Sequence, residues 1–182
     1  MEREQVGMPT IVETGCVRSA EDWPGAGNST YLFGAFIDGL GGKLISVDND
    51  PHHLAFARSY CEPWPVTFVE CDSIAWLCRN DEVIDVLYLD SLDIEDACHG
   101  EHALAEIQAA GATLSEESLV VFDDTWWAGD WLGKGTLAVP YLLERGWKVL
   151  SAGYQVVLSR KPATGSPGHS NAARRRRSLG TR

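Results

Sequence analysis

Short apolar runs alternate with segments of helical spacing along most of the chain. The runs at 10–14, 43–48, 66–70, 84–90 and 118–123 are rich in Val, Ile, Leu and Phe, as expected for strands covered on both faces. Between them, apolar residues recur at helical intervals over 31–40, 54–60 and 103–107. Beyond Asp124 the order changes. A helix over 137–143 stops at Gly146, and two strand-like runs, 147–150 and 154–158, follow with only Ser151, Ala152 and Gly153 between them. Three residues cannot make a parallel crossover, so the last strand must run antiparallel to its neighbour. The pattern predicts one α/β domain over 1–159, a doubly wound sheet of about seven strands with an antiparallel last strand and helices on both faces. No internal repeat is present.

Four of the apolar runs end on acids: Glu13, Asp48, Asp90 and the pair Asp123-Asp124. In an open parallel sheet, ligands bind outside the carboxyl ends of the strands, so these acids are expected to line one crevice.

Composition narrows the class. The 182 residues, 45% hydrophobic and 23% charged, suffice for one well-buried core. No stretch approaches the roughly 20 apolar residues of a membrane span. The start, Met1-Glu2-Arg3-Glu4-Gln5, lacks the order of a signal peptide, so a soluble, cytoplasmic protein is expected. Cys16, Cys61, Cys71, Cys78 and Cys98 form no C-x-x-C pair, which argues against a disulfide framework and a structural zinc site. Cys16, beside the first strand end, is the candidate reactive thiol. Charge is uneven: residues 160–182 hold seven of the 15 basic residues and none of the 26 acidic ones, leaving the rest near −18. Such a surface repels a phosphate backbone, so nucleic acid is not the expected substrate. The arginine-rich tail, with Pro162, Gly165, Ser166, Pro167 and Gly168 ahead of Arg174–Arg177, has the composition of a disordered segment; weak contact with nucleic acid is one use for it.

The strand-end Glu13-Thr14-Gly15, the turn Gly25-Ala26-Gly27-Asn28-Ser29-Thr30 opening a helix, and Asp48 ending the second strand resemble the class I S-adenosylmethionine-dependent methyltransferases. Within them, Tyr88-Leu89-Asp90 and Asp123-Asp124 resemble the metal-dependent O-methyltransferases, the branch of catechol and macrocin O-methyltransferases. The resemblance covers 10–159 and implies a Rossmann-like fold and S-adenosylmethionine as methyl donor. Glycines entering a helix allow close backbone approach and leave N–H groups free for a carboxylate. Gly15, Gly27, Asn28 and Ser29 would thus hold the methionine end, with Glu13 and Thr14 near its amino group. Asp48 suits ribose hydroxyls, Asp72 or Ser73 the adenine ring, and Asp90 borders the cofactor. Asp48 and Asp72 also precede helix-like segments, where capping is the competing role.

Three carboxylates at adjacent strand ends repel one another unless a cation lies between them. Asp90, Asp123 and Asp124 are therefore the candidate metal ligands, and oxygen-only donors favour Mg2+ or another hard divalent ion. In the resembling enzymes that ion aligns a substrate hydroxyl against the methyl group. Asp123 or Asp124 capping the following turn is the plainer role. Where catechol-type enzymes have a lysine base, this chain has Asp93. Asp93 is the first candidate base and His102 the second. Cys16 to Pro24 lengthen the glycine turn, and Arg18 and Trp23 on that insertion are placed to cover the cofactor.

Only a short segment precedes the first strand, so the acceptor site is expected from loops, chiefly 125–135. Its Trp126, Trp127 and Trp131 suit stacking on a flat or sugar-like acceptor, or else packing in a core or dimer interface. Gly129, Gly133 and Gly135 suit a moving lid, with Lys134 neutralising an anionic substrate group. An open cleft of this kind also suits a homodimer. The expected function is metal-assisted O-methylation of a small hydroxylated molecule. The alternatives are a nicotinamide-dependent oxidoreductase, which the absence of a compact G-x-G-x-x-G disfavours, and a non-catalytic cofactor-binding or interaction domain.

Overall fold

The computed structural model describes residues 8–20 and 28–161. The expectations for Trp23, Gly25, Gly27 and residues 162–182 lie outside the described residues. In chain order the elements are β1 (Thr10–Thr14), α1 (Ser29–Leu40), β2 (Lys43–Asp48), α2 (Pro51–Tyr60), β3 (Val66–Glu70), α3 (Ser73–Leu77), β4 (Ile84–Leu89) and α4 (His99–Ala110). After them come β5 (Leu114–Phe122), β6 (Thr125–Trp127), β7 (Trp131–Gly133), α5 (Gly135–Glu144), β8 (Lys148–Ala152) and β9 (Val156–Ser159). Seven strands form one sheet in the order β3-β2-β1-β4-β5-β9-β8. The first five are parallel, and β9 runs antiparallel to both β5 and β8. This is the Rossmann-like methyltransferase architecture, with the antiparallel last strand that the short 151–153 connection demands.

β1 occupies the middle because its side chains suit burial from both sides: Ile11, Val12, Glu13 and Thr14 are all buried. It pairs with β2 (Glu13 opposite Ser46) and with β4 (Glu13 opposite Tyr88). The strand order reverses beside β1, so the crevice opens above the ends of β1, β2 and β4. On one face of the sheet, Leu87, Leu89, Val120, Phe122 and Leu158 pack with Ile107, Ala110, Val139 and Leu142 from α4 and α5. On the other, Ile11 and Leu44 pack against Ile37 of α1. α1 is largely apolar, with Asp38 its one charged residue: it buries Ile37 but leaves Leu32, Phe36 and Leu40 exposed on one outward stripe.

The helix expected after Asp72 is short, and one element was not expected. α3 spans only five residues, too few to show a helical period, and is set by Asp72, whose side chain accepts from the Ala75 N–H at 2.8 Å. The 125–135 loop is a two-stranded hairpin, β6–β7, with Trp127 opposite Trp131. Among the described residues, no helix is long and apolar enough to cross a membrane.

Leu87 lies at the sheet centre with no exposure. Leu87→Ala is therefore expected to cost about 2–5 kcal/mol in urea unfolding. Leu32→Ala, on the exposed stripe of α1, should change stability by no more than about 0.5 kcal/mol. Similar losses at both positions would contradict this account of the core.

Candidate active site

Backbone hydrogen bonds fix the strand ends that carry the acids. The Gly15 N–H donates to Val47 O at 2.8 Å, Asp90 N–H to Thr14 O at 3.0 Å and Asp123 N–H to Leu89 O at 3.1 Å. Gly15 has φ +83, and a Cβ there would lie 2.4 Å from the Asp90 carbonyl oxygen. Only glycine lets β1 turn this close beneath Asp90.

Two adjoining cavities open above these ends. One, of about 110 Å³, is bordered by Ser29, Asp48, Asp90, Asp93, Asp124 and Tyr154. The other, of about 90 Å³, is bordered by Gly15, Asp48, Asp72, Ser73, Ser91 and His102. Asp48 faces both. It accepts from Cys16 N–H at 3.2 Å, from the Cys16 thiol at 3.4 Å and from Asp50 N–H at 2.8 Å. The cap of α2 is Asp50, not Asp48: Asp50 accepts from His52 N–H at 2.7 Å, ahead of Pro51. Burial and the Asp48 carboxylate push the Cys16 thiol up, so it stays protonated and does not act as a reactive thiolate.

The N-terminus of α1 reaches the first cavity through Ser29. Asn28, at the cap position, is buried, makes no side-chain cap bond, and leaves its amide without a partner among the described residues. Free N–H groups at this end suit an anionic group. Glu13 is not at the surface of either cavity. It is buried beneath them, accepting from the Thr30 hydroxyl at 2.7 Å and the Ser46 hydroxyl at 2.8 Å. Burial pushes its carboxyl from an ordinary 4.5 up to about 7, against the pull of those hydroxyls. Thr14 is likewise buried, with its hydroxyl unpartnered among the described residues.

At the second cavity, His102 Nε2 lies 3.3 Å from Ser73 Oγ and 3.4 Å from Glu106 Oε1. Glu106 is buried and also accepts from Ser91 Oγ at 2.9 Å. The hydrogen bond to Glu106 holds His102 above its ordinary value despite burial. His102 therefore sits across Ser91 from the acid cluster, while Asp93 borders the first cavity and accepts from Arg18 at 2.9 Å.

Asp90, Asp123 and Asp124 do converge: one ligand atom from each lies within 4.8 Å of the others. A cation also lies among them, and it is Lys134. Its Nζ donates to Asp90 Oδ1 and, at 3.1 Å, to Asp124 Oδ2, and the side chain is only 3% exposed. The expectation that Lys134 faces an anionic substrate from a lid is corrected here. Gly133 (φ +76) brings the hairpin so close that a Cβ would lie 1.7 Å from Asp124 O, and Lys134 N–H donates to that oxygen at 3.2 Å. Close packing at Gly133 and Gly135 pins the base of this hairpin, so these two glycines do not make a hinge, while Gly129 at the tip meets nothing within 4 Å. Trp131 packs against the core and edge-on to Trp127, centroids 5.0 Å apart, while Trp127 is exposed; none of the three tryptophans borders either cavity.

Three acids with one ammonium leave excess negative charge. Burial pushes Asp90 up to about 7 even though Lys134 pulls it down, and Asp123 and Asp124 add to the rise. Burial opposes the charge on Lys134, but Asp90 and Asp124 outweigh it and hold the amine protonated. Asp124 has φ +42, a left-handed backbone that Asp tolerates better than most residues, and its Oδ1 accepts from Tyr154. Tyr154 and Lys134 as partners of Asp124 had no signal in the sequence beyond their residue types.

A family model described as "Methyltransferase domain" matches residues 24–125. No curated protein matches the sequence. Among solved structures, the chain is similar to NSun6 from Pyrococcus horikoshii, with 13% identity over 84% of this chain and 49% of that one, at a TM-score of 0.61. The chain thus spans about half the length of NSun6. It is similar to the calicheamicin methyltransferase CalS11, with 16% identity over 83% of this chain and 72% of that one, at a TM-score of 0.59. It is also similar to the N-methyltransferase NodS from Bradyrhizobium japonicum WM9 in complex with S-adenosyl-L-homocysteine, with 14% identity over 83% of this chain and 76% of that one, at a TM-score of 0.52.

Folded Glu13 keeps its proton to about pH 7, whereas the unfolded chain releases it near 4.5. Its contribution to stability is complete below pH 4.5 and is lost as pH rises through about 7. Glu13 should therefore account for on the order of 1–3 kcal/mol of the stability in urea that wild type loses between pH 5 and 8. In Glu13→Gln the slope should shrink to the part due to Asp90. Identical slopes would mean that Glu13 is already ionised in the folded protein.

Proposed function

The chain belongs to the methyltransferase domain family, and from that premise we propose that it transfers a methyl group from S-adenosylmethionine to a hydroxyl of a small molecule. The observation that carries this reading is Asp48, an acid at the end of β2 that borders both cavities beside the uncapped start of α1. When bound, S-adenosylmethionine supplies an electrophilic methyl group. Asp48 would hold its ribose hydroxyls, the α1 N-terminus with Ser29 its carboxylate, and Ser73, Asp72 and His102 its adenine end. These side chains present donors and acceptors in an order that fits the group.

The acceptor hydroxyl is oriented by the carboxylates at the opposite end of the first cavity, Asp90 and Asp124, with Asp93 at its rim. Positioning supplies most of the rate, and one of these carboxylates takes the hydroxyl proton. The acidic character of residues 1–159 favours a small acceptor over a polyanion. The calicheamicin methyltransferase CalS11 shares the fold. The divalent ion expected from the sequence does not fit beside the Lys134 ammonium, so no step is assigned to it.

Calorimetry with S-adenosylmethionine and its demethylated product, with NAD and NADP as controls, tests the reading. The methyl donor and product should bind and the nicotinamides should not; binding of a nicotinamide instead would overturn it. Asp48→Ala should weaken cofactor binding at least about tenfold, the loss of one good interaction. Asp124→Asn should lower turnover by about 100-fold or more while leaving that affinity within about twofold. Equal loss of affinity in both would sink this division of labour.

A further inference from the structure

Lys134 reaches the acid cluster from a backbone tied to Asp124 and, through Thr125, to Asp123. Its own N–H donates to the Asp124 carbonyl at 3.2 Å. The next N–H, of Gly135, donates to Thr125 Oγ1 at 2.9 Å, and that hydroxyl donates to the Asp123 carbonyl at 2.8 Å. We infer that the Lys134 ammonium is the resident cation of the Asp90–Asp123–Asp124 cluster, standing where a divalent ion would otherwise bind, so that the methyl transfer proposed above proceeds without a metal.

An inventory of oxygens carries the argument. Asp90 Oδ1 and Asp124 Oδ2 accept from Lys134 Nζ, and Asp124 Oδ1 accepts from Tyr154. Both oxygens of Asp124 are therefore engaged. What remains includes Asp123 Oδ1, which is buried and has no partner among the described residues. Magnesium requires near-octahedral oxygen coordination at about 2.1 Å, and here it would share its ligands with a positive charge. The ammonium cannot simply step aside, because a charge this deeply buried has to keep its partners. Without Lys134 the balance reverses: three carboxylates with ligand atoms within 4.8 Å of one another would be left without a counter-charge, which suits a hard cation.

The inference uses the transferase reading only for what the cluster serves; the ion pairing stands apart from it, and the two are tested separately. Mn2+ binding to the full chain is followed by electron paramagnetic resonance and by the thermal midpoint, in wild type, Lys134→Met, Lys134→Gln, Lys134→Arg and Lys134→Met/Asp123→Asn. Wild type and Lys134→Arg are expected to bind no Mn2+ at the cluster up to millimolar concentration. Lys134→Met should bind one Mn2+ at least about tenfold more tightly than wild type, with a midpoint raised by the ion, and the added Asp123→Asn should abolish this. Should the Met variant not fold, Lys134→Gln, which keeps hydrogen-bond donors, carries the comparison. One Mn2+ bound as tightly by wild type as by the neutral variants, and weakened by Asp123→Asn, would overturn the inference. So would neutral variants that bind no better than wild type. Cofactor titration of wild type in chelator and in Mg2+ runs alongside. Equal affinity in both is expected; failure to bind in either would overturn the transferase reading and leave the Mn2+ result to decide the inference by itself.

Discussion

Parallel pairing of β1 with both β2 and β4 forces the ends of three strands, and the acids they carry, to one edge of the sheet. Like charges gathered in this way repel, and much of the local structure compensates for it. Glu13 is withdrawn below the cavities and held between the hydroxyls of Thr30 and Ser46. Asp48 takes two backbone N–H bonds from Cys16 and Asp50. Asp90 and Asp124 are bridged by Lys134. Each acid meets the same problem with a different neighbour, and that separates their roles. The acid beneath the cavities is structural, the acid facing both cavities suits polar recognition, and the bridged pair borders the first cavity.

The sheet was legible because its strands are apolar runs of the right length bounded by turns, and because the 151–153 connection admits only one topology. α3, five residues with no period of their own, was legible only through its cap, Asp72. The true cap of α2 was also visible in Asp50-Pro51, an acid followed by proline at the first helical position. The convergence of Asp90, Asp123 and Asp124 could be read from strand ends alone. The ammonium among them could not: Lys134 stands 44 residues from Asp90 and looked like part of a mobile glycine-rich loop. What fixes it is tertiary, the clash-free passage of Gly133 against Asp124 O. Glu13 was misread as a cavity residue for a related reason, since its burial depends on hydroxyls from α1 and β2.

The two cavities divide the crevice chemically. Around Ser73, Ser91 and His102 the groups are hydroxyls and one imidazole anchored on Glu106, with the Asp72 carboxylate beside them, which suits a heteroaromatic ring with donors and acceptors at its edge. Around Asp90, Asp93 and Asp124 the groups are carboxylates, which suit hydroxyl donors and disfavour anions. Asp48 and Ser91 border both, so a ligand spanning them passes from one chemistry to the other at that point.

Tyr154 lies on the connection between β8 and β9, and β9, the last strand among the described residues, is not at the sheet edge but between β5 and β8. A ribosome delivers Asp124 well before Tyr154, so the nascent polypeptide carries all of the acid cluster while one of its hydrogen-bond partners is still unmade. The edge that carries the acids is completed only when β9 slots between β5 and β8, after every other described strand of the sheet has been made.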